Sequence, residues 1–190
     1  MVKKMGKMIL VTGGARSGKS SFAETRVAEL GENILYIATA IPFDDEMKDR
    51  IRKHQSSRPS HWETWEGYRG LGAAIKKAGK EKDGVLVDCV TIMVTNIMLS
   101  HSEVDFEQLA PHDMDRIEED IRQEVTELIE GIQASDCDVV LVTNELGSGL
   151  VPENPMGRAF RDFAGRANQM IGRAADELWL AVCGVPMKIK

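Results

Sequence analysis

The stretch ILVTGGARSGKSSF, residues 9–22, places a short apolar segment directly before a glycine-rich loop. Residues 8–12 have the pattern of a fully buried strand, and residues 21–30 have that of a helix. Between them, Gly13 to Ser20 fit the phosphate-loop pattern G-x-x-x-x-G-K-[S/T]. In this context the backbone N–H groups of the loop converge on phosphate oxygens at a helix N-terminus. The stretch therefore predicts a nucleoside triphosphate site without specifying the reaction.

Three side chains around this loop have predicted roles. Lys19 is expected to reach the β- and γ-phosphates, and the Ser20 hydroxyl is expected to bind Mg²⁺. Asp88 ends a predicted strand, the position at which phosphate-loop proteins keep the carboxylate that orients Mg²⁺. An aspartate at a strand end is common, so this assignment depends on the loop upstream. The alternative to a phosphate loop at Gly13 to Ser20 is a glycine-rich turn that binds nothing. The agreement of the motif with the strand before it and the helix after it disfavours this alternative.

Length and composition restrict the class of protein. The 190 residues favour a single domain at residues 8–190, preceded by a loose extension at residues 1–7. A hydrophobic content of 43% and a charged content of 28% are ordinary for a soluble globular protein, and the net charge of −6 argues against nucleic acid as a partner. No apolar segment is long enough for a transmembrane segment. The three cysteines, at positions 89, 137 and 183, are predicted to be reduced core residues of a cytoplasmic protein.

Strand and helix patterns alternate along the chain. Strands are predicted at residues 8–12, 33–39, 84–89, 137–144 and 177–183, and residues 61–66 are predicted to be extended or a short strand. Helices are predicted at residues 21–30, 44–56, 71–80, 91–100, 111–135 and 156–175. Buried strands separated by helices predict an α/β protein, a three-layer P-loop nucleotide-binding fold with a mainly parallel sheet covered on both faces. Ligands are expected at the carboxyl ends of the strands.

A second candidate site lies on the predicted helix at residues 44–56. Arg50, His54 and Arg58 are spaced four residues apart, which places them on one helix face if the helix continues that far. Two cations beside an imidazole disfavour its protonated form, so His54 is expected to be neutral near pH 7. A neutral imidazole is able to attack a phosphorus atom. Spacing alone favours the alternative, a basic helix face in solvent.

A third candidate site spans residues 142–169. A strand ends at Asn144, a loop rich in glycine and proline follows, and the next helix opens with Arg158 and Arg161. Arginines near a helix start oppose the helix dipole, so they are expected to have another partner. A phosphate, a substrate and a neighbouring subunit all remain open at this point.

Four segments together carry a resemblance to a known family. They are ILVTGGARSGKSSFAE (9–24), DDEMKDRIRKHQSSRPSHWETWE (44–66), VTNELGSGLVPENPMGRAFRDFAGRANQ (142–169) and ADELWLAVCGVPMKIK (175–190). In this order they resemble the bifunctional adenosylcobinamide kinase/adenosylcobinamide-phosphate guanylyltransferase family of cobalamin biosynthesis. The similarity extends from Met8 to Lys190. It is far more specific than the phosphate loop alone.

The resemblance implies two reactions and a set of site residues. The first reaction phosphorylates adenosylcobinamide with GTP or ATP, and the second transfers GMP from GTP to adenosylcobinamide phosphate through a covalent GMP-histidine. The histidine of the family falls on His54 here. His54 therefore joins Lys19 of the phosphate loop as a catalytic candidate. Some relatives carry Glu where this chain has Asp88, and a homotrimer is implied. The implied nucleotide contacts are Gly13, Gly14, Ala15, Arg16, Ser17, Gly18, Lys19, Ser20, Ala38, Thr39, Ala40, Gln55, Ser56, Ser57, Arg58, Glu66 and Asp88, with Mg²⁺ on Ser20 and Asp88.

Two other functions remain open on the residues alone. One is a P-loop kinase of a small metabolite without nucleotidyl transfer, and the other is a nucleotide-driven switch or assembly ATPase. Neither forms a covalent nucleotide adduct, so the role of His54 separates them from the bifunctional transferase. The N-K-x-D signature that reads guanine in GTPases is absent from the sequence.

Overall fold

A mainly parallel sheet forms the centre of the molecule in the computed structural model, which describes residues 6–41 and 59–190. Its seven strands within these ranges are β1 (Met8–Gly13), β2 (Ile34–Ala38), β3 (Glu63–Glu66), β4 (Gly84–Asp88), β5 (Asp138–Asn144), β6 (Glu177–Val182) and β7 (Val185–Lys188). The described helices are α1 (Lys19–Ala28), α2 (Leu71–Ala78), α3 (Val90–Ser100), α4 (Pro111–Gln133) and α5 (Pro155–Ala174).

The strands lie in the order β3-β2-β4-β5-β1-β6-β7. Every pairing is parallel except the last, in which β7 runs antiparallel to β6. The register places Gly13 opposite Asn144, and Ala38 opposite both Asp88 and Glu66. Because parallel strands end at the same edge of a sheet, segments far apart in the sequence meet at this carboxyl edge.

Two apolar layers cover the sheet, because successive side chains of a strand point to opposite faces. One face packs against α1 and includes Ile9, Val11, Ala23, Val27, Ile34, Tyr36, Leu86, Val140 and Val142. The other face packs against α2 to α5 and includes Leu10, Ile37, Leu71, Val87, Ile97, Ile121, Leu141 and Phe163. The predicted three-layer α/β fold, with a mainly parallel sheet covered on both faces, is confirmed.

The predicted elements within the described residues are confirmed, with bounds that differ by at most two residues. The predicted helix at residues 44–56 lies outside the described residues. Strand β7 was not predicted. Cys89 and Cys137 are buried as expected, but the prediction for Cys183 was wrong, because Cys183 is exposed in the turn between β6 and β7.

The beginning of the described chain is bonded to the sheet. Of the predicted loose extension at residues 1–7, the structure describes Gly6 and Lys7. The Gly6 backbone N–H donates to the Ser135 carbonyl at 3.1 Å, and the Lys7 N–H donates to Asp138 Oδ1 at 2.9 Å. These two residues are therefore fixed against the strand end at β5. In the part of the chain that the structure describes, no helix has the length and apolar character needed to cross a membrane.

Candidate active site

The phosphate loop lies at the carboxyl edge of the sheet, between β1 and α1. Arg16 and Gly18 have positive φ angles, 59° and 89°, so the loop backbone is left-handed at two positions just before α1 begins. The turn between β6 and β7 supports the loop, because the Gly184 N–H donates to the Ser17 carbonyl at 2.9 Å. A Cβ on Gly18 would lie 3.0 Å from the Cα of Gly184. This position therefore requires glycine both for its φ angle and for the close approach of the turn.

Polar groups of the loop are arranged as an anion site. The Lys19 Nζ donates to the Gly14 carbonyl at 3.1 Å, so the ammonium folds back over the loop. Ser20 lies in the first turn of α1, where the leading backbone N–H groups have no carbonyl of their own helix to bind. The Ser17 hydroxyl is buried and has no hydrogen-bond partner among the described residues. These donors and the positive end of the helix dipole suit a phosphate group.

Asp88 lies at the same edge, at the end of β4. Its half-buried carboxylate accepts a hydrogen bond from the Tyr36 hydroxyl, with 2.8 Å between that oxygen and Asp88 Oδ2. Strand β5 separates β4 from the strand that precedes the phosphate loop. Burial, together with the charge of Asp88, raises the pKa of the adjacent Cys89 thiol to about 12, and the Lys19 charge opposes this shift. Burial and the Asp88 charge therefore keep the Cys89 thiol protonated.

The donor set at this edge fits Mg²⁺. The ion prefers oxygen ligands and usually takes one or two protein carboxylates, with phosphates and waters completing its shell. Asp88 offers a carboxylate oxygen, and Ser20 offers a hydroxyl at the start of α1. Among residues 6–41 and 59–190, no cluster of three or more His, Cys, Asp or Glu side chains forms a metal cage. The arrangement therefore suits a metal that arrives with a nucleotide.

Thr39 joins β2 to β4 beside Asp88. Its side chain is fully buried, and its hydroxyl bonds twice to Cys89, accepting from the backbone N–H at 2.8 Å and donating to the carbonyl at 2.7 Å. The Thr39 N–H donates to the Asp88 carbonyl at 3.2 Å, and the Thr39 carbonyl accepts from Asn96 Nδ2 at 2.7 Å. Its polar groups are thus directed into the protein, and its predicted contact with a nucleotide stays a prediction.

A pocket of about 450 Å³ opens next to these residues, large enough for part of a small ligand. Its walls are Ala40, Ile41, Trp65, Glu66, Gly67, Tyr68 and Arg69. Ala40 and Glu66, two of the predicted nucleotide contacts, therefore line the same pocket. They come together because β2 pairs with β3, with Ala38 opposite Glu66 and the Gly67 N–H donating to the Ala38 carbonyl at 3.0 Å.

The two arginines of the third candidate site bind their own loop. Arg158 Nη1 donates to the carbonyls of Pro152, at 3.2 Å, and Glu153. Arg161 Nη2 donates to the Gly147 carbonyl at 2.7 Å. In the structure their observed partners are therefore loop carbonyls, a possibility that the sequence did not suggest.

The loop at residues 145–154 is consequently held in a defined conformation beside the phosphate loop. The Glu145 N–H donates to the Gly13 carbonyl at 3.1 Å, and Asn154 caps α5 through the Gly157 N–H at 2.6 Å. Between these fixed points, Leu150 and Val151 are 96% and 67% exposed. An apolar pair thus faces solvent on a loop that is attached to the candidate site.

A buried polar network beneath the edge was not predicted. The Thr91 and Thr143 hydroxyls lie 3.0 Å apart, and the Thr143 hydroxyl donates to Asn168 Oδ1 at 2.7 Å. The Asn168 Nδ2 group donates to the Asn144 carbonyl at 3.0 Å. The network connects α3, β5 and α5 below the loop. Its signal in the sequence is the polar pair Thr143-Asn144 at the end of β5, whereas Thr91 and Asn168 lie on helices.

Several predicted residues lie outside the described residues. These are His54, Gln55, Ser56, Ser57 and Arg58. Their roles, including that of the catalytic histidine, stay predictions.

Comparison with known proteins gave matches over nearly the whole chain. The family model described as cobinamide kinase / cobinamide phosphate guanyltransferase matches residues 9–189. The bifunctional adenosylcobalamin biosynthesis protein CobU of Salmonella typhimurium is 48% identical over 184 residues, which are 96% of this chain and 99% of that protein. CobU of Escherichia coli is 45% identical over the same shares, and CobP of Pseudomonas aeruginosa is 36% identical over 95% of this chain and 96% of its own. Among solved structures, a KaiC-like protein from Pyrococcus horikoshii aligns with a TM-score of 0.47 and 12% identity over 93% of this chain and 71% of its own.

Proposed function

Because the chain belongs to the cobinamide kinase / cobinamide phosphate guanyltransferase family, we propose that it catalyses both reactions on adenosylcobinamide. It phosphorylates the hydroxyl of adenosylcobinamide and then transfers GMP from GTP to the new phosphate, which gives adenosylcobinamide-GDP. The observation that carries this proposal is the match over residues 9–189, which includes both the phosphate loop and the segment around His54.

The phosphate loop serves both reactions in this proposal. In the kinase step, the Lys19 ammonium and the backbone N–H groups at the start of α1 hold the β- and γ-phosphates and stabilise the charge that develops on them. Ser20 and Asp88 hold Mg²⁺, which neutralises phosphate charge when it is bound. Positioning of the acceptor hydroxyl against the γ-phosphate supplies much of the remaining rate.

The guanylyl transfer proceeds through His54. Its imidazole nitrogen attacks the α-phosphorus of GTP, the bond to the β-phosphate oxygen breaks, and pyrophosphate leaves. A phosphate oxygen of adenosylcobinamide phosphate then attacks the phosphorus of the GMP-histidine, the phosphorus–nitrogen bond breaks, and the imidazole of His54 is released as the product forms. The family's R-I-x-x-H pattern, which falls here on Arg50-Ile51-Arg52-Lys53-His54, supports this assignment by resemblance, and the same resemblance supports a homotrimer. We place the enzyme in the cytoplasm on the basis of its cysteine usage.

A search for the covalent intermediate tests the proposal. The wild-type protein, incubated with Mg²⁺ and GTP labelled at the α-phosphate and then denatured, should retain label and gain the mass of one GMP. A phosphoramidate survives alkali and is hydrolysed in acid, so the label should be stable in base and lost in acid. His54→Ala should lose the adduct and guanylyl transfer but keep kinase activity, since phosphorylation does not pass through the histidine.

His61→Ala is the matched control, because His61 is an exposed histidine close in sequence. This variant should retain the adduct. Kinase activity without any adduct in the wild type would favour the small-metabolite kinase. Nucleotide hydrolysis that is independent of adenosylcobinamide would favour the switch ATPase.

A further inference from the structure

Tyr36 holds one oxygen of the Asp88 carboxylate. The tyrosine lies in β2, is 1% exposed, and packs in the apolar layer between the sheet and α1. Its hydroxyl lies 2.8 Å from Asp88 Oδ2 and donates to it. The neighbouring strands are in register, with Tyr36 opposite Leu86 and Ala38 opposite Asp88. Core packing therefore fixes the phenol oxygen, and the phenol oxygen fixes the carboxylate.

This contact matters because the terminal torsion of an aspartate is soft. The carboxylate of Asp rotates over a broad range unless a donor holds it. Here the backbone is held as well, since the Thr39 N–H donates to the Asp88 carbonyl and the Thr39 hydroxyl bonds to Cys89. Tyr36 takes one acceptor direction of Oδ2, so Oδ1 and the second direction of Oδ2 are left for a ligand. Tyr36 and Thr39 together therefore hold the place and the rotation of the Asp88 side chain.

We propose that Tyr36 is a positioning residue that orients the Asp88 carboxylate for Mg²⁺. This inference rests on the proposed function, in which Asp88 and Ser20 hold the ion. Hydrogen-bond partners of metal ligands typically change metal affinity or activity by about 10- to 100-fold when they are removed. Tyr36 acts on Asp88 through its hydroxyl, because its ring lies in the core.

The variant Tyr36→Phe removes the hydrogen bond to Asp88, since it loses one oxygen and keeps the ring. The readout is the Mg²⁺ concentration at half-maximal binding of a non-hydrolysable GTP analogue, measured by calorimetry without turnover. We expect this midpoint to rise about tenfold, at the lower end of the range for such partners. Both reactions should show the same rise in their Mg²⁺ titrations, and kcat at saturating Mg²⁺ should stay close to the wild-type value.

Ser135→Ala is the control, because it removes a buried hydroxyl just before β5, at the opposite end of that strand from the candidate site. The control loses a buried hydrogen-bonding oxygen elsewhere and should keep the wild-type Mg²⁺ midpoint. A tenfold rise in this control as well would overturn the assignment of the effect to the bond with Asp88.

Asp88→Asn and the double variant separate this inference from the proposed function. If Asp88→Asn raises the midpoint and Tyr36→Phe does not, the positioning role fails while the metal site stands. If Asp88→Asn leaves the midpoint unchanged, the metal assignment fails and the inference fails with it. The inference requires that Tyr36→Phe add little in the Asp88→Asn background. Two effects that multiply would show that Tyr36 acts independently of Asp88.

Discussion

Replacement of Thr39 by valine tests how β2 and β4 are held together at the candidate site. Thr39→Val keeps the side-chain shape and removes the hydroxyl that bonds to the N–H and the carbonyl of Cys89. The carbonyl keeps a second donor, the Met93 N–H at 3.1 Å, but the buried N–H loses its acceptor. An unpaired buried polar group costs about 1–3 kcal/mol. We therefore expect the free energy of unfolding to fall by about 2 kcal/mol, the middle of that range.

The assay is reversible unfolding of the apoprotein, by urea and by heat. For a chain of this length, 1 kcal/mol corresponds to roughly 2–4 °C, so Thr39→Val should lower the Tm by roughly 4–8 °C. Thr39→Ser is the control, because it keeps the hydroxyl and loses one buried methyl group, worth about 0.8 kcal/mol. If Thr39→Val is as stable as the wild type, or more stable than Thr39→Ser, the hydroxyl does not join the two strands and the reasoning is refuted.

Two further predictions concern the phosphate loop and a buried carboxyl. Lys19→Ala should abolish both activities while unfolding within about 0.5 kcal/mol of the wild type, because the side chain is partly exposed at the first residue of α1; wild-type turnover by this folded variant would contradict the phosphate-loop assignment. Glu124 accepts from the Gly70 N–H at 2.6 Å, and burial raises its pKa above the ordinary 4.5, so the folded state loses stability as the pH rises through the folded-state pKa. Glu124→Gln should therefore be more stable relative to the wild type at pH 8 than at pH 5 in urea unfolding, and an equal difference at both pH values would show that Glu124 does not titrate in this way.

The fold was predictable because the central strands are buried on both faces. Strands β1, β2, β4 and β5 read as continuous apolar segments, and each is bounded by glycine, by a polar residue or by a helix pattern. Strand β7 lacks this signal, because it is an exposed edge strand that contains a proline and pairs on one side only. The one local feature that indicates β7 is the two-residue turn before it, at Cys183 and Gly184, where φ is 52° and 83°.

The candidate site was predictable where a continuous motif or the end of an apolar segment marks its residues. The phosphate loop is one continuous motif, and Asp88 could be proposed because it ends an apolar segment. The contacts of Tyr36 and Thr39 with residues 88 and 89 depend on β2 lying beside β4, and nothing local encodes that strand order. The partners of Arg158 and Arg161 were missed for a related reason. The dipole of α5 predicts only that arginines at its start need another partner. The loop before α5 folds back and supplies that partner through its carbonyls.

The hairpin of β6 and β7, which was not predicted, also explains one residue of the phosphate-loop motif. A phosphate loop needs glycine at position 18 for its backbone conformation, and here φ is 89°. The turn between β6 and β7 adds a second requirement, since the Gly184 Cα would lie 3.0 Å from a Cβ on Gly18. The neighbour is backbone, so a side chain cannot move aside to accommodate the new atom. Because the Gly184 N–H also donates to the Ser17 carbonyl, the last strand pair of the sheet helps to hold the predicted phosphate loop.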